Sequence, residues 1–189
     1  HNNHHTYPNS AKLSVKPWEF DMGWAWIQLF SFLRLAKVQR VAPIAHRVAG
    51  KQQLDMDTAI AILNNRFQIM AQYRKLVIAP LVKQELAKAD VSVRHLFRRA
   101  KRLLSRETSL LSEQHEARIA AMLAQSQALK VIYEKRLALQ QIWLKTSANG
   151  HEMLAAISDW VHEAEASGIQ SLREFALQLQ TYSLRPARD

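Results

Sequence analysis

His1, His4 and His5 stand within the first five residues of the chain, HNNHH. On a helix, positions i, i+3 and i+4 share a face, so three imidazoles at this spacing converge on one small volume. The neutral ring supplies a lone pair, and imidazole suits iron, zinc, copper and nickel. Three ligands do not complete an octahedral iron site. If these residues bind iron, most of the ligand set lies outside the chain. Two plainer readings compete. One is a residual purification tag, although tags are usually unbroken His runs and the asparagines followed by TYPNSA do not read as vector sequence. The other is a solvated, His-rich terminus.

The second pattern with chemical consequences is RHLFRRAKRLLSR, residues 94–106. Arg94, Arg98, Arg102 and Arg106 are each four apart and would form one stripe on a helix, with Arg99 and Lys101 beside it. Leu96, Phe97, Leu103 and Leu104 would supply the apolar side. A basic amphipathic helix can lie on anionic lipid or follow nucleic-acid phosphates, and a plain solvated face is the third option. A membrane surface or solvated face is favoured here, because an aromatic segment upstream already suits a membrane interface. The charge distribution singles out the same region. Net charge is +10, made up of +4 over residues 1–50, +7 over 51–111 and −1 over 112–189. Any anionic partner belongs to the middle of the chain.

Other chemistry is thinly represented. Cysteine is absent, which excludes disulfides, zinc–thiolate sites and a cysteine nucleophile. No Gly-rich phosphate loop or nucleophile elbow is found. His46, His95, His115, His151 and His162 share no ligand spacing and read as surface or packing residues. Asp159, Glu163, Glu165 and Glu174 fall on amphipathic patterns, and none is assigned a metal role.

The elements that must position these residues read as helices. With 48% apolar residues, four glycines and five prolines in 189 residues, the chain can bury a core and is mainly helix-forming. Trp18, Phe20, Trp24, Trp26, Phe30 and Phe32 crowd residues 18–35. They fit either an interfacial helix, with Glu19 and Asp21 at its N-terminus, or a core helix. Residues 36–53 read as a linker. A long helical pattern starts at an Asp55 or Asp57 cap, with Ile60, Leu63, Phe67 and Met70 spaced as one buried face. Pro80 should kink or break it. Further helices are expected over residues 92–107, from the Ser112 cap to about Ala124, over 128–145, and from Gly150 to a Gly168 C-terminal turn. The last starts at a Ser171–Glu174 capping box and runs to about Tyr182. No strand pattern of useful length is present. The expected fold is all-α: an aromatic-rich interfacial helix and then about six amphipathic helices joined by short turns. Trp143 and Trp160 read as core residues. No apolar run is long enough to cross a bilayer. The chain starts on His without a leader pattern and is expected to be a piece of a longer protein.

Residues 1–37, HNNHHTYPNSAKLSVKPWEFDMGWAWIQLFSFLRLAK, resemble the third histidine box and following segment of membrane fatty acid desaturases of the acyl-CoA or acyl-lipid Δ9 type. The HxxHH box, then Tyr7 and Pro8, then a Trp/Phe-rich helix occur in that family's order. The resemblance implies a non-haem di-iron centre on the cytoplasmic side of a bacterial inner membrane, with His1, His4 and His5 as iron ligands. It also implies O2-dependent desaturation of an acyl-CoA or acyl-lipid, electrons from a redox donor, and membrane attachment through helices absent from this chain. The first two boxes are absent too, so the fragment alone should be inactive.

Residues 109–182 are similar to the helical part of certain insertion-sequence DDE transposases, carried by LSEQHEARIAAML, ALKVIYEKRLALQQIW and AEASGIQSLREFALQL. The expected organisation is a desaturase end over 1–45, a linker over 46–54 and a helical extension over 55–189. On this reading nucleic acid is not an expected partner. The alternative is a basic, transposase-derived module that binds nucleic acid, or docks a redox partner or another subunit, without catalysis.

Overall fold

The computed structural model describes residues 21–37, 45–48, 50–51, 53–106, 110–145 and 150–184. Among them the fold is all-α, as expected, apart from two three-residue strands. His1, His4, His5, Trp18, Glu19 and Phe20 lie outside the described residues.

Helix α1 runs Met22–Phe32. Asp21 caps it by accepting the Trp24 amide at 2.9 Å, which sets a carboxylate on the positive end of the helix. At the other end Leu35 N–H donates to the Phe30 carbonyl at 2.8 Å and Arg34 N–H to Ser31 at 3.0 Å. This Schellman turn puts Arg34 at φ 58°, a conformation that favours glycine. None of the α1 residues is buried, and Trp26, 54% exposed, stacks on Phe30 with ring centroids 5.9 Å apart. α1 is therefore not part of the core among the described residues. Among the described residues no helix is long and apolar enough to cross a membrane.

The main body begins with α2, Met56–Asn64. Asp55, rather than Asp57, is the cap: its carboxylate accepts from both the amide and the hydroxyl of Thr58, each at 2.7 Å. The chain leaves helical geometry at Asn65 (φ −109°, ψ 16°), re-enters it in α3, Arg66–Tyr73, and widens into a π-helical turn, Arg74–Ile78, before α4, Ala79–Lys88. The buried residues on the two sides of Asn65 keep three- and four-residue spacing, on a different face from the one expected. Ala59, Ile62, Ile69, Tyr73 and Val77 are buried, whereas Ile60 and Phe67, expected in the core, are 38% and 53% exposed and Leu63 and Met70 only half-buried. Pro80 neither breaks nor ends the helix. It cannot donate, and its ring crowds the carbonyl four residues back. The wide turn just before it absorbs that misfit, with Ala79 N–H reaching the Arg74 carbonyl.

Helices α5, Val91–Phe97, and α6, Ala100–Leu103, follow, and then α7, Glu113–Gln125, α8, Gln127–Lys145, α9, Gly150–Ala166, and α10, Gln170–Gln180. The α9 helix ends as read, with Gly168 at φ +72°. The expected capping box at Ser171 is absent. The helix starts one residue earlier, Ile169 occupies the cap position, and Glu174 instead accepts from the Gln170 side chain at 2.7 Å.

At the centre of the core Tyr73, Trp160 and Phe175 meet edge to face, with centroid separations of 5.0 Å for Tyr73–Phe175 and 6.1 Å for Trp160–Phe175. Each polar tip finds a carbonyl of α8: Tyr73 O–H donates to Ile132 at 2.6 Å, and Trp160 Nε1–H to Lys135 at 2.8 Å. Trp160 is thus a core residue as expected, while Trp143 is half-buried.

Strand β1, Ala45–Arg47, pairs antiparallel with β2, Tyr182–Leu184, with His46 opposite Ser183. Part of the stretch read as a linker is therefore a strand, and three residues are too few for a period-two signal. Side chains bind this pair to α2 and α3. Asp57 accepts from the Leu184 amide at 3.1 Å and from the Ser183 hydroxyl, while Gln72 Oε1 accepts from Arg47 at 2.6 Å and Tyr182 at 3.1 Å.

Candidate nucleic-acid interface

Asp90, in extended conformation, precedes α5, and its carbonyl accepts from the Val93 and Arg94 amides. Phe97, Ala100, Leu103 and Leu104 are buried and fix the α5–α6 segment to the core, with Leu96 half-buried beside them. The cations point the other way. Arg94, Arg98, Arg99, Lys101 and Arg102 are exposed and Arg106 half-buried.

The expected single helix over 92–107 is not formed. Arg99, at φ −107° and ψ 2°, turns the chain between α5 and α6. Arg94 and Arg98 keep one helical face, because Arg98 is still in α geometry, but Lys101 and Arg102 sit on a separate short helix. The straight stripe of four-residue steps becomes a bent cationic segment. Phe97, Ala100, Leu103 and Leu104 are nonetheless all buried, so the apolar side stays on the core through the bend.

None of these six cations makes an ion pair among the described residues. Elsewhere some lysines are paired, such as Lys51 with Asp55 at 2.9 Å and Lys135 with Glu163. Apart from a 3.4 Å bond from Arg94 to the Ala89 carbonyl, the exposed guanidinium groups of this acid-poor cluster can engage an external anion, above all through bidentate contact with phosphate.

The downstream end of this segment is tied to α8 by a residue that sequence reading missed. Arg136 is 2% exposed, and its Nη2 donates to the Arg106 carbonyl at 2.8 Å and the Ser105 carbonyl at 3.3 Å. These two carbonyls lie just beyond the end of α6 and accept charge-assisted hydrogen bonds from the guanidinium. The signal was present: Arg136 falls in phase with Leu129, Ile132 and Leu139, all buried. Burial raises the pKa of Tyr73 and, less completely, that of Tyr133, with the Arg136 charge opposing both shifts and Glu116 adding to the second.

The other candidate groups stand apart from one another. Among the described residues no group of three His, Asp or Glu side chains could hold a metal. Glu163 pairs with Lys135, Glu165 accepts from Gln180 at 2.9 Å, Glu174 accepts from Gln170, and Asp159 is exposed. His95 and His162 bond to the Ser92 and Ser158 carbonyls, and His115 completes the capping box of α7 with Ser112. These are local structural roles.

A family model described as Transposase, of the DDE ISL3 type, matches residues 57–185. The chain belongs to the ISL3 family of DDE transposases. The family match begins at α2, far upstream of the start near residue 109 read from sequence, so it takes in the whole cationic segment. A separate likeness links the chain to the sn-2 palmitoyl-lipid 9-desaturase of Nostoc sp. (strain 36), 57% identical over 37 residues. Those residues are 20% of this chain and span only 13% of the desaturase. The larger part of the chain is transposase, not desaturase. No solved structure matches.

Proposed function

We propose that the helical body is a non-catalytic, nucleic-acid-binding module of a transposase, which holds DNA phosphates on the exposed cations of α5 and α6. The observation that supports it most is the cluster Arg94, Arg98, Arg99, Lys101 and Arg102, exposed and without ion pairs among the described residues. Membership of a transposase family favours DNA over a lipid surface as the anion these cations meet. The contacts are to backbone phosphates, so binding is tolerant of sequence and sensitive to salt.

The test is duplex DNA binding by the chain and by its Arg94→Gln/Arg98→Gln/Arg102→Gln variant. The variant should bind at least tenfold more weakly at moderate salt, on the order expected for losing three phosphate contacts. Flotation with anionic vesicles combined with no retention of DNA contradicts the reading.

The 37-residue desaturase likeness favours a second reading for the chain's other part. In it, His1, His4 and His5 are iron ligands of a di-iron, O2-dependent acyl desaturase at the cytoplasmic face of a bacterial membrane. α1 lies at the interface, and the substrate is an acyl-CoA or acyl-lipid served by a redox donor. These histidines lie outside the described residues, so this reading rests on their spacing and the likeness alone. In a protein carrying the full set of boxes, His4→Ala should abolish double-bond formation. An unchanged unsaturated-lipid profile would rule it out.

A further inference from the structure

Residues 58–84 contain four cations, Arg66, Arg74, Lys75 and Lys83, and no acid. Ile69, Tyr73 and Val77 turn inward, and Phe67, Gln68, Ala71, Arg74 and Lys75 are left exposed on α3 and the π-helical turn. Phe67 has no core role. Its ring is covered by the Arg66 guanidinium, 4.8 Å from the centroid, and Arg66 is itself steadied by the Leu63 carbonyl at 3.4 Å. Arg66, Arg74 and Lys75 make no ion pair among the described residues.

An exposed aromatic ring with a planar cation against it, followed about two turns along the helix by two more exposed cations, has the composition of a single-strand binding surface. Unpaired bases stack on aromatic rings and guanidinium planes while Lys and Arg take the adjoining phosphates. Arg74 lies seven positions after Phe67, about 10 Å along the helix, within reach of one or two nucleotide steps. A duplex cannot use the ring, because its base faces are occupied by one another. A lipid surface would need several apolar side chains to insert together, and here the exposed Phe67 ring is flanked by Gln68 and the Arg66 guanidinium.

We propose that the α3 face is a second nucleic-acid site, separate from α5–α6, that binds an unpaired DNA strand: a base stacks at Phe67 and Arg66, and Arg74 and Lys75 hold the neighbouring phosphates. It extends the nucleic-acid reading of the α5–α6 cluster, and the two sites are told apart by the form of DNA each prefers.

The experiment is fluorescence anisotropy of the 189-residue chain with a fluorescein-labelled oligothymidylate and, separately, with a labelled duplex of equal length. Phe67→Ala should weaken single-strand binding about tenfold and leave duplex binding unchanged, whereas Phe67→Tyr should retain both. Arg74→Gln/Lys75→Gln should flatten the single-strand salt dependence by about 1.4 in log–log slope. Circular dichroism checks that each variant keeps its helices. Single-strand affinity indifferent to Phe67→Ala overturns this site alone. A Phe67-dependent single-strand affinity together with duplex binding unchanged in the Arg94/Arg98/Arg102 variant supports this site and overturns the α5–α6 reading. No affinity for either DNA form overturns both.

Discussion

Arg136 carries a charge into the middle of α8 and uses it to hold the Ser105 and Arg106 carbonyls. Replacing it by Ala removes two charge-assisted hydrogen bonds and leaves a cavity, so chemical denaturation should show a loss of about 3 kcal/mol. A loss under about 0.5 kcal/mol would mean the guanidinium is dispensable. Asp55 predicts a pH effect. Burial works to raise its pKa, but hydrogen bonds from Thr58 and Lys51 prevail and lower it from 3.8 to about 2. The stabilisation is complete above the unfolded-state value and is lost as pH falls from about 4 to about 2. Acid titration of stability should show this step in the parent chain, and Asp55→Asn, which keeps a capping side chain, should lose it. Half of the Asp55 side chain is exposed, so the step is small. Gly168, at φ +72°, should not accept a Cβ without cost: Gly168→Ala lowers stability by about 1 kcal/mol in the same denaturation assay.

At the scale of elements, Asp57 joins the start of α2 to β2 through the Leu184 amide and the Ser183 hydroxyl. Asp57→Ala should therefore cost about 1–2 kcal/mol, with hydrogen exchange at the Leu184 amide rising more than exchange in α8. Equal acceleration at both would mean that β2 is not held by this carboxylate. Much of the helical frame was legible in the sequence. The caps at Asp55 and Ser112, the Gly168 terminator and the span of α8 follow from side chains that satisfy or release backbone groups locally. Which face is buried was not legible, because Ile60, Leu63, Phe67 and Met70 and the buried Ile62, Ile69 and Tyr73 both keep helical spacing, and periodicity alone does not say which set turns inward. The bend at Arg99 was hidden as well: regular Arg spacing implies one helix only if the backbone stays one helix. The exposure of these cations was legible, since it follows from the apolar residues between them, but their bent arrangement and the Arg136 anchor were not.

Over the whole molecule, charge separates along the chain. Residues 51–111 carry twelve Lys/Arg against five acids, and residues 112–189 carry eight against nine. An anionic polymer is therefore expected at residues 51–111 rather than 112–189, and at physiological salt such attraction acts over about 8 Å. The central claim is that the α5–α6 cations meet DNA phosphates. The salt dependence of duplex affinity tests it most directly, because its slope counts the phosphates neutralised, at about 0.9 per contact. Compared with the parent chain, Arg94→Gln/Arg98→Gln/Arg102→Gln should show a log–log slope shallower by about 2.7. A slope identical to the parent's, with the variant still folded, would contradict the account.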